Sequence, residues 1–145
     1  MFRAVLDTNV VVSSVISKKG APFFLIQAWM DHRFTLVTSE SILDEIQRVL
    51  AEPNVKDMFH ITDEQIAELI ETFRENAEVV PCLTDASGVI PGDPSDEKFL
   101  SAALDGKVGF LVSGDKHLLG LGIFHGIEIC TPRKFLDLLD TTIPS

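Results

Sequence analysis

Short apolar runs in this chain alternate with segments in which apolar residues recur at three- and four-residue intervals. Runs of the first kind predict strands buried on both faces, and the longer period predicts helices with one face in the core. The predicted strands cover residues 2–6, 34–37, 79–80, 109–114 and 127–129. Because strands and helices alternate, we expect an α/β fold, namely a three-layer α/β/α sandwich with a central parallel sheet.

Capping residues, prolines and glycines predict where the helices begin and end. Pro22 suits the first position of a helix over 23–32, and Thr38 or Ser39 can cap a helix over 40–50. A capping box at Thr62 and Gln65 predicts the start of another helix. Further helices are predicted over 10–16, from about 96 to 104, over 116–119, and from 131 to 139.

Composition limits the class of protein. With 145 residues, 46% of them apolar, the chain predicts one globular domain over 1–145. No apolar run reaches the roughly 18 residues that a membrane span needs, and the N-terminus lacks the pattern of a signal peptide. We therefore expect a cytoplasmic protein without a membrane association, in which Cys82 and Cys130 are small buried residues rather than a disulfide.

Two acidic residues directly follow predicted strands. Asp7 ends the first strand, and Asp115 follows the run over 109–114. In open α/β sheets, ligands bind beyond the carboxyl ends of the strands. Glu45 lies between Ile42 and Val49 at helical spacing, so its carboxylate borders the face that packs on the sheet.

A further acid and two small polar residues fall in the same parts of the chain. Asp96 lies in the first turn of its helix, where the helix dipole favours negative charge, and Asn9 and Ser113 lie beside the strand ends. Each acid alone also suits a structural role, as a helix cap, a solvated helix face or a turn residue. Their joint occurrence favours convergence around a cation, and hard oxygen ligands select Mg²⁺ or Mn²⁺. The sequence therefore predicts metal-dependent phosphate chemistry.

Four segments, spread over nearly the whole chain, give it a more specific resemblance. They are Val-Leu-Asp-Thr-Asn-Val at 5–10, the stretch 39–50 around Glu45, Asp-Pro-Ser-Asp-Glu-Lys-Phe-Leu-Ser-Ala-Ala at 93–103, and Leu-Val-Ser-Gly-Asp-Lys-His-Leu-Leu at 111–119. In these segments the chain resembles the PIN-domain ribonucleases. The closest resemblance is to the VapC-like toxins of bacterial and archaeal toxin–antitoxin systems.

The resemblance implies a set of site residues. The acidic members are Asp7, Glu45, Asp96 and Asp115, with Ser113 as a hydroxyl partner and Asn9 following the Asp-Thr pair. Asp96 is preferred as the third acid because of its spacing from the small-residue helix that follows, and Asp93 is the backup.

The implied activity is endonucleolytic hydrolysis of RNA phosphodiesters. One or two Mg²⁺ or Mn²⁺ ions would be held by Asp7, Asp96 and Asp115, with Glu45 as a direct or water-mediated ligand. His117 also lies beside Asp115, but an exposed histidine without a catalytic role is the favoured interpretation.

The net charge of −10 argues against binding of nucleic acid by broad electrostatics alone. Basic residues must then act locally, and the candidates are Lys18, Lys19, Lys98, Lys116, Arg133 and Lys134. The acidic balance suits a basic protein partner, as an antitoxin would be. The apolar segment 23–29 favours a core helix and a homodimer surface equally, since PIN-type toxins resemble one another in pairing through helices.

Two other functions remain as alternatives. A receiver-like signalling module also collects strand-end aspartates around Mg²⁺, but no isolated strand-end lysine accompanies the acids here. A catalytically silent PIN-like scaffold would only bind a partner, and the presence of all four acids argues against it.

Overall fold

The computed structural model describes residues 2–84 and 96–141, and these form eight helices and a six-stranded sheet. The strands are β1 (Arg3–Leu6), β2 (Thr35–Ser39), β3 (Glu78–Val80), β4 (Phe110–Val112), β5 (Ile123–Phe124) and β6 (Ile127–Cys130). The helices are α1 (Thr8–Ile16), α2 (Ala21–Met30), α3 (Glu40–Leu50), α4 (Pro53–Phe59), α5 (Asp63–Asn76), α6 (Glu97–Asp105), α7 (Lys116–Leu119) and α8 (Pro132–Thr141).

The strands lie in the order β3-β2-β1-β4-β6-β5, with β1 between β2 and β4. All neighbouring pairs are parallel except β5 and β6, which form an antiparallel hairpin at one edge. The predicted α/β fold with a central parallel sheet is therefore confirmed. Strand β5 was not predicted, because a strand of only two residues carries no periodic signal.

Both faces of the central strands are covered. Ala4 and Val5 point to opposite faces of β1, and neither is exposed to solvent. The same holds for Leu111 and Val112 of β4. Each such side chain stabilises the fold by about 1 to 3 kcal/mol relative to an exposed position. Helices thus flank the sheet on both sides, as the continuous apolar runs predict.

Local signals placed several helices correctly. Helix α3 spans the predicted residues, and the Ser39 hydroxyl caps it by accepting from the Ile42 amide at 3.3 Å. The capping box of Thr62 and Gln65 is formed at the start of α5. Helix α4 was not predicted, because none of its residues is buried and it therefore has no apolar face to signal it.

Helix α6 is fixed against the sheet at its C-terminal end. The Arg3 guanidinium donates to the carbonyl of Gly106 from Nη2 at 2.7 Å and from Nε at 3.2 Å. A Cβ at Gly106 would lie 2.5 Å from Cγ1 of Val37. Because this end of α6 packs at the start of β1, the helix N-terminus points toward the carboxyl ends of the strands.

Helix α2 contributes to the core and also leaves apolar side chains on the surface. Leu25 and Trp29 are buried, and the Trp29 ring stacks on Phe73 with centroids 4.9 Å apart. Phe24 and Met30 are 46% and 51% exposed. The core interpretation of this segment is therefore correct for one face only.

The cysteines and the helix lengths bear on two other expectations. Both cysteines are free; Cys130 is buried, and Cys82 is only half-buried, contrary to the prediction. Burial raises the pKa of the Cys130 thiol to about 11. None of the helices in 2–84 and 96–141 has the length and apolarity to cross a membrane.

Candidate active site

The first two site residues lie side by side at the carboxyl edge of the sheet. Leu6 pairs with Val112, which pairs with Cys130. The backbone extends this register by one residue, since the Asp7 amide donates to Val112 at 2.9 Å and the Ser113 amide donates to Cys130 at 2.9 Å. Asp7 and Ser113 therefore lie next to each other at the carboxyl edge of the sheet, directly after β1 and β4.

Asp7 is a buried carboxylate with a hydrogen-bond donor on each oxygen. Its Oδ1 accepts from the Asn9 amide at 3.2 Å, which caps α1, and its Oδ2 accepts from the Ser113 hydroxyl at 2.6 Å. Only 4% of the residue is exposed. Burial raises the pKa of Asp7; the bonds to Ser113 and Asn9 lower it, and the negative charges of Glu45 and Asp115 raise it.

Ser113 connects Asp7 to Asp115. Its Oγ accepts from the Asp115 amide at 2.9 Å while its hydroxyl donates to Asp7. The Asp115 carboxylate caps α7, where Oδ1 accepts from the amides of His117 at 2.8 Å and Leu118 at 3.2 Å. Both strand-end aspartates therefore cap the helix that follows, and one fully buried serine joins them.

Glu45 reaches the site from α3. Its Oε2 accepts from the Thr8 hydroxyl, and its Oε1 accepts from Nζ of Lys98 at 3.0 Å. Both charged side chains of the ion pair are 19% exposed. The contact of Thr8 was missed from the sequence, although Thr8 directly follows Asp7, and Lys98 was recognised only as one of several basic residues.

Asp96 lies at the N-cap of α6, two residues before Lys98, and is 8% exposed. The residue makes contacts, but its side chain does not cap the helix. The backup Asp93 lies outside the described residues.

A family model described as PIN domain matches residues 3–117. The chain belongs to the PIN domain family. PIN domains are generally nucleases and typically bind divalent metals. This assignment leaves the receiver-like alternative without support.

Two other proteins are similar to this chain over most of its length. The chain is 24% identical to an uncharacterized protein of Methanocaldococcus jannaschii over 144 residues, which cover 93% of this chain and 90% of that protein. Its fold matches a chain in the crystal structure of VapBC2 from Rickettsia felis bound to a DNA fragment from their promoter, with a TM-score of 0.58 and 13% identity. That match covers 90% of this chain and 98% of the other, and it supports the α/β fold of this PIN domain.

The chemistry of the donors fits a divalent ion. The site offers carboxylate oxygens, which are the ligands that Mg²⁺ and Mn²⁺ prefer. Burial, together with the negative charges of Glu45 and Asp115, raises the pKa of Asp7. Over 2–84 and 96–141, however, no three histidine, cysteine, aspartate or glutamate side chains stand close enough together to hold a metal ion. Carboxylates without a cation between them repel one another, so we expect ion binding to draw them together.

A cleft of about 330 Å³ lies beside Lys98, the cationic member of the ion pair with Glu45. The described residues that line it are Ser41, Cys82, Leu83, Thr84, Glu97, Lys98 and Ser101. On the other side of the site, Lys116 and His117 are exposed on α7, as expected for His117. Cationic side chains thus lie on two sides of the acidic residues.

Proposed function

We propose that this PIN domain is a metal-dependent endoribonuclease and the toxin of a toxin–antitoxin pair. The observation that carries the proposal is the buried carboxylate of Asp7, which is bonded to Ser113 and surrounded by the charges of Glu45 and Asp115. A buried carboxylate whose pKa is raised by burial and by neighbouring negative charges costs stability, and groups perturbed in this way are frequent at functional sites. Membership of the PIN domain family supports nucleic-acid cleavage as that function.

The site residues take distinct parts in this proposal. Asp7, Asp96 and Asp115 would hold Mg²⁺ or Mn²⁺, with Glu45 nearby and Asp93 kept as the backup for Asp96. When bound, the ion supplies the positive charge that makes a water a better nucleophile and offsets charge on the leaving oxygen. Ser113 fixes the Asp7 carboxylate by hydrogen bonding, and Asn9 does so through its amide.

Substrate contact in so acidic a protein has to be local. Lys98 borders the cleft, and Lys116 follows Asp115 directly on α7. An RNA strand bound between these two cations would place a phosphodiester next to the acidic residues. The hydroxyl of Ser41 in the cleft is suited to a hydrogen bond with a phosphate oxygen, whereas the hydroxyls of Thr84 and Ser101 already donate to the Asp105 carboxylate and the Thr84 carbonyl.

The proposed partners rest on charge and on exposed apolar surface. A net charge of −10 favours a basic antitoxin, and the fold likeness to a chain of a VapBC complex supports a partner of that kind. The exposed Phe24 and Met30 of α2 support pairing of two copies of this chain. We place this activity in the cytoplasm.

The decisive experiment is a cleavage assay with end-labelled single-stranded RNA in Mg²⁺, in Mn²⁺ and in EDTA. We expect cleavage in either metal and none in EDTA, with Asp7→Asn and Asp115→Asn inactive. Asp57→Asn, an exposed aspartate on α4, is the matched control and should cleave normally. Cleavage that persists in EDTA or in Asp7→Asn would contradict the proposal.

The Asp7→Asn variant also distinguishes a nuclease from a catalytically silent scaffold. Antitoxin binding by Asp7→Asn should equal that of the wild type while its RNA cleavage is lost. A wild type that binds a basic partner but cleaves no RNA in either metal would favour the scaffold.

A further inference from the structure

The ion pair of Lys98 and Glu45 differs from the others in the described part of the chain in its burial. Both side chains are 19% exposed, whereas the exposed fractions in the pairs of Arg74 with Glu40 and Lys134 with Glu128 lie between 37% and 59%. A partly buried pair is less screened by salt and water than a surface pair. The ammonium of Lys98 is therefore an effective counter-charge inside the site.

Both oxygens of Glu45 are already engaged by the protein. The Thr8 hydroxyl donates to Oε2, and the Lys98 ammonium donates to Oε1 at 3.0 Å. A divalent ion that binds Glu45 directly would have to lie next to the Lys98 ammonium or displace it. Displacement of the ammonium would also leave a positive charge next to the incoming ion.

Asp7 has the opposite electrostatic situation. Its two oxygens accept from neutral donors, the Asn9 amide and the Ser113 hydroxyl. Neither bond therefore neutralises the negative charge of Asp7. The nearby charges of Glu45 and Asp115 make the electrostatic potential there more negative. An arriving cation therefore gains more at Asp7 than at Glu45.

We propose that Lys98 is a built-in counter-ion that competes with the divalent cation for Glu45, so that Glu45 is not a direct ligand of the ion. The inference rests on the proposed function, because it concerns the same metal site. In this inference Lys98 is a positioning residue. Its ammonium holds Glu45 away from the ion and limits the affinity of the site for metal.

The test is a Mn²⁺ titration by calorimetry on the purified chain and its variants. Lys98→Met should bind Mn²⁺ at least about tenfold more tightly, because a repelling charge is removed and a carboxylate is released. The double variant Glu45→Gln plus Lys98→Met removes the pair as a neutral unit and should bind within about threefold of the wild type. Asp7→Asn should lose most of the affinity.

Two further variants separate the ion pair from general effects. Lys98→Arg keeps the charge and should bind Mn²⁺ as the wild type does. Lys134→Met makes the same charge change at the exposed pair with Glu128 and should leave the affinity unchanged. If circular dichroism shows that Lys98→Met does not fold, Lys98→Gln makes the same comparison.

Each result has a definite meaning. Loss of affinity in the double variant as large as in Asp7→Asn would show that Glu45 is a direct ligand and would overturn the inference. Unchanged affinity in Lys98→Met would overturn it as well, while the proposed nuclease function would stand. A wild type that binds no Mn²⁺ would instead refute the metal-dependent function itself.

Discussion

The Ser113 hydroxyl donates to Oδ2 of Asp7 at 2.6 Å, although the two residues are 106 positions apart in the sequence. The bond is buried, and the same oxygen atom of Ser113 accepts from the Asp115 amide. One side chain therefore sets the orientation of the first acid and the backbone of the last. The site depends on the alignment of β1 with β4, which places these residues at the same edge.

Metal binding should be visible as thermal stabilisation. Mn²⁺ at about 100 times its dissociation constant adds about 2.7 kcal/mol to the free energy of unfolding, which raises the melting temperature by roughly 5 °C or more. The double change Asp7→Asn plus Asp115→Asn should abolish this increase in a thermal melt. An increase that survives in the double variant would place the ion elsewhere.

Stability in EDTA should depend on the ionisation of Asp7. Burial raises its pKa above the ordinary 3.8, so the folded protein still binds a proton that the unfolded chain has lost. The free energy of unfolding therefore falls as the pH rises from about 3.8 to the folded pKa, and the loss is then constant.

The Asp7→Asn variant has no ionisable group at this position. Its stability relative to the wild type should therefore increase across this pH interval. Urea unfolding of both proteins at a series of pH values measures the difference. A difference that does not vary with pH would show that Asp7 ionises in the folded protein as it does in the unfolded chain.

Ser113→Ala should lower both stability and the ability of Asp7 to carry its charge. The change leaves Oδ2 of Asp7 and the Asp115 amide without the hydroxyl, at a cost of about 1 to 3 kcal/mol in urea unfolding. Because the bond lowers the pKa of Asp7, its loss should raise that pKa further. Ser41→Ala, at an exposed position of α3, should change the free energy of unfolding by less than about 0.5 kcal/mol.

Gly106→Ala should loosen the attachment of α6 to the sheet. The added Cβ would meet Val37 at 2.5 Å, and relief of that contact should cost about 1 to 3 kcal/mol. Gly109→Ala is a suitable control, since a Cβ there has nothing within 4 Å. Equal effects of the two changes on urea unfolding would show that the close approach at Gly106 is unimportant.

The exposed apolar residues of α2 should mediate pairing of two chains. Phe24→Glu and Met30→Glu introduce charges that would have to be buried in such an interface, and each should shift sedimentation toward the monomer. Met58→Glu changes a more exposed apolar residue on α4 and should leave the oligomeric state unaltered. A wild type that sediments as a monomer at all concentrations would contradict the pairing.

Local sequence signals were sufficient for much of the fold and for part of the site. Strand ends placed Asp7 and Asp115, and the Ser39 cap and helical spacing placed Glu45 beside the core. The bonds of Thr8 and Lys98 to Glu45 could not be predicted, because they depend on how α1 and α6 lie against α3 in space. Sequence spacing predicts which face of a helix is buried. Which side chains that face contacts is determined by how the helices pack in space.

The central position of β1 has a consequence for synthesis on the ribosome. The N-terminal strand pairs on one side with β4, which is translated about a hundred residues later. A nascent chain that stops before β4 has Asp7 without its serine and without the last acid. A polypeptide truncated there contains Asp7, Glu45 and Asp96 but lacks Ser113 and Asp115, so the proposed metal site is incomplete until β4 and the residues after it have been made.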